Sequence, residues 1–267
     1  MPDMTPTLPN LKGRFPFRLG TSSYIIPADI EPNVRFLAPL VDDVELVLFE
    51  SDGFSNLPSP TVIDTLVQLH REHDVSYTVH LPLDCQLGSP DGAIRRSSVG
   101  KCARVFDLTA PLTPHAYLLH LHGEQRGDEP ARDVPAWQNN LRESTEALLA
   151  HGIPARKLAV ETLDYPFELV EPLIREFDLG VCVDVGHLLL ANRDPVAPIR
   201  AHRDRCLVIH LHGVRDGKDH VDVAGMDPAL LRGILDAACD LPNCVVTLEL
   251  FDGDNLRRSL ECLEALS

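Results

Sequence analysis

Seven of the chain's twelve histidines, His80, His120, His122, His187, His210, His212 and His220, stand at or just past the ends of short apolar runs. Four acids, Glu50, Glu161, Asp184 and Glu249, stand in the same kind of place. Neutral imidazole with carboxylate is the donor set of Zn²⁺, Mn²⁺ or Fe²⁺ and needs no thiolate. Gathered in one cavity without a cation, so many of these groups would repel one another or demand large pKa shifts. A divalent ion removes that conflict, lowers the pKa of a bound water to about 7 and polarises a phosphoryl or carbonyl oxygen. Taken singly, a strand-end histidine is a hydrogen-bonded structural residue, and a strand-end glutamate is a helix cap or ion-pair partner. Five strands that each end in such a group call for a common cause.

These side chains converge only if the elements that carry them run parallel and close on themselves. Eight short apolar runs recur: residues 18–21, 44–49, 76–80, 116–122, 158–161, 180–185, 206–212 and 244–249. Between them lie segments with helical apolar spacing at 30–40, 59–73, 99–108, 137–151, 166–176, 195–200, 228–239 and 255–266. Strands interleaved with helices throughout predict an α/β fold, a single (β/α)₈ TIM barrel over residues 17–267 behind a proline-rich extension, 1–16. A doubly wound open sheet would carry a glycine-rich turn after its first strand, and no GxGxxG is present. In a barrel the carboxyl ends of all strands open on one face, so the histidines and acids meet there. Parity agrees. His120 with His122, and His210 with His212, must each share a face. Pointing them inward leaves Ile209 and Leu211 for helix packing, and Thr247 with Glu249 leaves Val246, Leu248 and Leu250. Residues 118–123 (LLHLHG) and 208–213 (VIHLHG) repeat almost word for word, which marks the fourth and seventh strands as equivalent.

Composition narrows the class. With 24 basic and 40 acidic residues the net charge is −16, so a surface that wraps nucleic acid is not expected. Hydrophobic residues make up 44%, enough for one large core. Residues 1–16 offer no signal peptide, no apolar stretch reaches membrane-spanning length, and the seven unclustered cysteines read as reduced thiols. A cytoplasmic protein without a membrane anchor is expected. The sequence leaves the oligomeric state open.

The chain resembles the xylose isomerase-like barrel superfamily, which holds sugar phosphate isomerases and epimerases and the endonuclease IV type of AP endonuclease. The resemblance lies in LAVETL with Glu161, CVDVGH with Asp184 and His187, VIHLHG with His210 and VTLEL with Glu249. It implies that Glu161, Asp184, His210 and Glu249 bind a metal. The D-x-x-H pair, Asp184 and His187, is similar to the endonuclease branch, where up to three zinc ions are held. That likeness implies His80, His122 and His187 as further ligands, with His120, His212 and Glu50 as additional candidates. After the seventh strand that branch carries a D-x-H pair, whereas this chain has Lys218, Asp219, His220 and then Asp222. His220 is carried over as a ligand. Within the superfamily, residues 19–50 look like the cobamide-remodelling phosphodiesterases, which cleave the nucleotide loop of vitamin B12-type cobamides.

The expectation is therefore a metal-dependent phosphodiesterase acting on a cobamide, with one to three Zn or Mn ions and Glu161 and Glu249 as catalytic carboxylates. Arg95, Arg96 and Lys101, after the third strand, would hold a phosphate, and Tyr24, Ile25 and Ile26 would wall a large substrate. The alternative is a sugar or sugar phosphate isomerase or epimerase, in which Glu161 and Glu249 exchange a proton at carbon. An AP endonuclease fits the charge less well.

Overall fold

The computed structural model describes residues 7–51, 53–241 and 243–266. Eight parallel strands close a barrel: β1 (Arg18–Ser22), β2 (Asp43–Val47), β3 (Ser76–His80), β4 (Tyr117–Leu119), β5 (Leu158–Glu161), β6 (Gly180–Asp184), β7 (Cys206–Leu211) and β10 (Val245–Leu248). Each pairs with its sequence neighbour, and β10 pairs with β1 to complete the ring. A two-stranded antiparallel ribbon, β8 (Gly213–Arg215) with β9 (Lys218–Val221), sits between β7 and the next helix. This is the (β/α)₈ architecture that the alternation predicts.

Strand parity divides the molecule into two kinds of interior. Outward residues such as Leu19, Val44, Leu46, Tyr77, Val79, Ile209, Leu211, Val246 and Leu248 join one large core beneath the helices. Burial of each such side chain stabilises the fold by roughly 1.5–3 kcal/mol. The inward apolar set is small: Ala116, Leu118, Ala159, Cys182, Val208 and Val245. Above it the barrel is filled by polar and charged groups, among them Glu45, His80, Glu161, Asp184, His210 and Glu249, all buried.

The helices are α1 (Ile30–Leu37), α2 (Pro60–His73), α3 (Gly92–Thr109), α4 (Val134–His151), α5 (Glu171–Glu176), α6 (Val185–Leu190), α7 (Val196–Ala201), α8 (Pro228–Cys239) and α9 (Gly253–Glu264). Their starts follow local chemistry. Ser59, Asp91, Asp133, Asp227 and Asp252 each accept backbone N–H groups of the turn they open, and Pro60 and Pro228 begin helices where no donor is needed. α3 begins at Gly92 rather than 99, because the Asp91 cap nucleates a turn whose residues lack an apolar stripe. The segment expected at 166–176 is split into a 3₁₀ turn, Phe167–Leu169, and α5, where Pro172 supplies no N–H to a continuous ladder. α6 is an unexpected element, and Asp184 both ends β6 and caps it by accepting the His187 N–H at 2.6 Å.

The described part of the proline-rich segment packs with the barrel. Leu11 is fully buried. The Lys12 ammonium donates to the carbonyls of Ala38 (3.2 Å), Val41 (2.7 Å) and Asp74 (3.3 Å), satisfying orphan oxygens past the ends of α1 and α2. No helix among the described residues is long and apolar enough to cross a membrane.

Candidate metal centre

Glu161, the last residue of β5, lies at the middle of the strand ends. Around its carboxylate stand His80 Nε2 at 3.4 Å, His120 Nε2 at 3.0 Å, His187 Nδ1 at 3.5 Å and His210 Nδ1 at 3.6 Å. Three carboxylates share His210 Nδ1, since Asp184 Oδ2 is 3.5 Å and Glu249 Oε2 is 3.2 Å away from it. His220 Nδ1 lies 3.6 Å from Glu249 Oε2 on the open side. His80, Glu161, Asp184, His210 and His212 form a closed floor, while His187 and His220 are 22% and 26% exposed and form the rim.

Glu161 Oε2, His120 Nε2, His210 Nδ1 and Glu249 Oε2 are buried and engage in no hydrogen bond. His120 Nε2 approaches Glu161 Oε2 closely, yet without hydrogen-bond geometry. Buried polar atoms are rarely left so, and a cluster of lone pairs on two imidazole nitrogens and two carboxylate oxygens is what a divalent cation needs. The residues present therefore fit such an ion. Triads whose donor atoms all lie within 4.8 Å of one another include His80–His120–Glu161, Glu45–His210–Glu249, His212–His220–Glu249 and His187–Asp219–His220.

Electrostatics in the ion-free protein follow from the same neighbours. Burial pushes Glu161 and Asp184 up, but the imidazoles win: His120 and His210 hold Glu161 well below the usual carboxylate range, and His212 and His187 do so for Asp184. Burial opposes charging of His80 and His212, yet Glu161 and Asp184 respectively carry them to about 9. His122 meets no carboxylate at contact distance; burial first, and the neighbouring His120 second, bring it down to about 4. Protons on the histidines thus occupy charge that a cation would supply, so cation uptake must release protons.

The structure sorts the expected residues by their second nitrogen. His80 Nδ1 lies 2.8 Å from the Leu81 carbonyl, which leaves Nε2 facing Glu161. In its neutral form His212 has both nitrogens engaged: Nδ1 accepts the His220 backbone N–H at 3.0 Å, and Nε2 lies 3.2 Å from Asp184 Oδ2. Its ring also rests against Gly186, where a Cβ would lie 2.0 Å from His212 Cε1. His212 therefore orients Asp184 and holds His220, whose φ is +52°, in the left-handed region. His120, not His122, faces Glu161, and His122 Nε2 contacts His120 Nδ1 at 3.2 Å.

Other expected residues lie outside this cluster. β2 ends at Val47, three residues before Glu50, whose carboxylate pairs with Arg104. Arg95 bonds Glu143 and the carbonyls of Ser89 and Pro90, Lys101 pairs with Asp84, and Arg96 borders a groove between α3 and α4. Tyr24 does line a cleft of about 630 Å³ with Ile25, Ile26, Phe49 and Phe251, and the Phe251 ring is 5.0 Å from that of His220. Sequence reasoning missed Glu45, which is fully buried with Oε2 2.9 Å from His210 Nε2. Parity applied to β2 would have found it, because Asp43, Glu45 and Val47 share the inward face.

A sequence profile described as xylose isomerase-like TIM barrel matches residues 41–266. Among solved structures, a D-tagatose 3-epimerase-like protein aligns at 18% identity over 93% of this chain and 96% of its own, with a TM-score of 0.72. D-psicose 3-epimerase from Clostridium cellulolyticum aligns at 16% identity over 93% and 98%, TM-score 0.70. Endonuclease IV from Thermus thermophilus aligns at 20% identity over 93% and 99%, TM-score 0.68. No curated protein matches the chain by sequence. At these identities the structural likeness speaks for the fold.

Proposed function

The chain belongs to the xylose isomerase-like TIM-barrel family, and from that premise we propose that it is a divalent-metal-dependent hydrolase that cleaves the phosphodiester in the nucleotide loop of a cobamide. The observation that carries this reading is the cluster of unpartnered donors flanked by imidazoles on both sides of Glu161. Proton exchange at a sugar carbon needs two carboxylates and one ion. His80 and His120 beyond Glu161 are additional to that requirement and suit a second ion. The cleft beside the rim supports a bulky, largely apolar substrate. Its wall comes from Tyr24, Ile25, Ile26 and Phe49, inside the segment 19–50 that resembles the cobamide-remodelling phosphodiesterases.

In this reading His80, His120, Glu161, Asp184, His210 and Glu249 hold one or two Zn or Mn ions. A divalent cation bound there would acidify a water and offset charge on the phosphoryl oxygens. Glu249, at the edge of the floor, accepts the proton of the attacking water. His187 and His220, at the mouth, are placed to donate to a phosphoryl oxygen or the leaving oxygen. The test is incubation of Mn²⁺- or Zn²⁺-loaded protein with a complete cobamide, followed by chromatography and mass analysis. Cobinamide or its phosphate and a released α-riboside product are expected, abolished by chelation and by Glu249→Gln. An intact cobamide with every metal, together with interconversion of ketoses, would replace this reading with a sugar epimerase.

A further inference from the structure

Among the buried ionisable groups, Glu45 has no part in the chemistry just described. It sits in the middle of β2 between Val44 and Leu46, level with Ser22 on β1 and Thr78 on β3, and is fully buried. Neither neighbour bonds to it. Ser22 donates to the Leu250 carbonyl, and Thr78 donates to Asp43 at 2.9 Å. The one hydrogen-bond partner of its carboxylate among the described residues is His210, reached across the barrel from β2 to β7, and Oε1 is left without any. A carboxylate placed this deep, with one oxygen unpartnered, costs stability that a single hydrogen bond does not offset.

The partner explains the placement. An ionised Glu45 only accepts, and the His210 nitrogen that faces it, Nε2, then carries the proton between them. In a neutral imidazole the other nitrogen then presents its lone pair. That nitrogen, Nδ1, is the unpartnered atom ringed by Glu249, Asp184 and Glu161. Resting on the metal reading above, we infer that Glu45 is a positioning residue: by accepting the Nε2 proton it fixes the tautomer and ring plane in which His210 offers Nδ1 to a divalent cation. His80 receives the same service from the Leu81 carbonyl. A carboxylate is the stronger acceptor, and it raises the basicity of the ligand nitrogen as well as aiming it.

The inference is tested on the full chain with zinc alone. Zinc affinity is measured by competition with a chromophoric chelator for the wild type, Glu45→Leu and Glu45→Gln. The His210 ring N–H is followed by NMR in the zinc-loaded proteins. Glu45→Leu is expected to weaken zinc binding about 10–100-fold at unchanged stoichiometry. It is also expected to abolish the downfield, slowly exchanging Nε2–H signal that the wild type shows. Glu45→Gln, whose amide oxygen can still accept, should recover most of the affinity, and Glu45→Ala replaces the leucine variant if that one does not fold. Wild-type affinity and an unchanged ring signal in Glu45→Leu, or in Glu45→Ala where it stands in, would overturn the inference while leaving the metal site standing. Loss of one whole equivalent of zinc would overturn it by making Glu45 a ligand. A wild type that takes up no divalent ion would remove the metal reading, and the inference with it.

Discussion

The two HLHG segments, one after β4 and one closing β7, are nearly the same sequence in equivalent places, and their second histidines do opposite things. In each, the first histidine turns a nitrogen toward Glu161: His120 Nε2 at 3.0 Å and His210 Nδ1 at 3.6 Å. In each, the glycine makes room for the loop that returns past it. A Cβ on Gly123 would lie 2.3 Å from the Pro130 carbonyl oxygen, and one on Gly213 would lie 2.4 Å from that of Asp222. The second histidines then part. His122 is pushed down to about 4 by burial and then by another imidazole, whereas Asp184 overcomes burial and carries His212 up to about 9. The role is set by which side chain meets the acid, not by the motif: the acid ending β6 contacts His212, whereas the acid ending β5 is met by His120 and lies beyond contact of His122.

The largest test of this comparison removes what the two segments have in common. Glu161→Gln takes away the carboxylate against which both first histidines are set, so zinc or manganese retained after dialysis should fall by more than the about 100-fold that an outer partner can cost. His122→Asn should lower the same measurement by no more than about 10–100-fold, because it touches only the far nitrogen of His120. Equal losses in the two variants, read by elemental analysis, would put His122 among the ligands and erase the distinction.

A smaller effect probes the packing that makes the β7 segment different. The His212 ring occupies the space where residue 186 would carry a Cβ. Gly186→Ala must displace either the ring or the start of α6, and overpacking of this kind costs about 1–3 kcal/mol. Urea unfolding of the ion-free protein should register that loss. If the variant is as stable as the wild type, the ring is not held there, and its bonds to Asp184 and His220 are not what fixes it.

The barrel itself was open to reading because each strand presents a continuous apolar face to the helices, and apolar runs survive in one dimension. What the sequence concealed is short or polar. α6 has six residues and follows β6 without a turn, so it has neither a period nor a boundary to detect. The strands of the β8–β9 ribbon have three and four residues, mostly half-buried, too short for an alternating apolar pattern. Within the site, parity correctly set the paired histidines facing inward, but parity carries no depth. It could not say that position 120 lies level with Glu161 and position 122 above it. The run VELVLF predicts a strand that ends at Glu50, yet pairing stops at Val47 and the side chain turns to Arg104. Glu45 was hidden in that same run as one acid among aliphatic residues. Its function depends on a partner 165 residues away that only the closed barrel brings near.

The smallest effect is also the sharpest, because the two second histidines predict slopes of opposite sign in ion-free protein. His122 has a folded-state pKa of about 4, below the ordinary histidine value of 6.5, so the unfolded chain binds its proton more readily. Its contribution is present above pH 6.5 and is lost as the pH falls toward 4. His212 has a folded-state pKa of about 9, so its contribution is present below 6.5 and is lost as the pH rises through 9. Each slope should amount to about 1 kcal/mol once other charges in the cluster absorb part of the change. Chelator-treated wild type, His122→Asn and His212→Asn are to be compared by urea unfolding from about pH 4 to about pH 9, the span between the two folded-state values. The first substitution should flatten only the acid limb and the second only the alkaline limb. Flattening of the same limb by both would mean that the two segments share one electrostatic environment, and that the carboxylate of Asp184 does not set them apart.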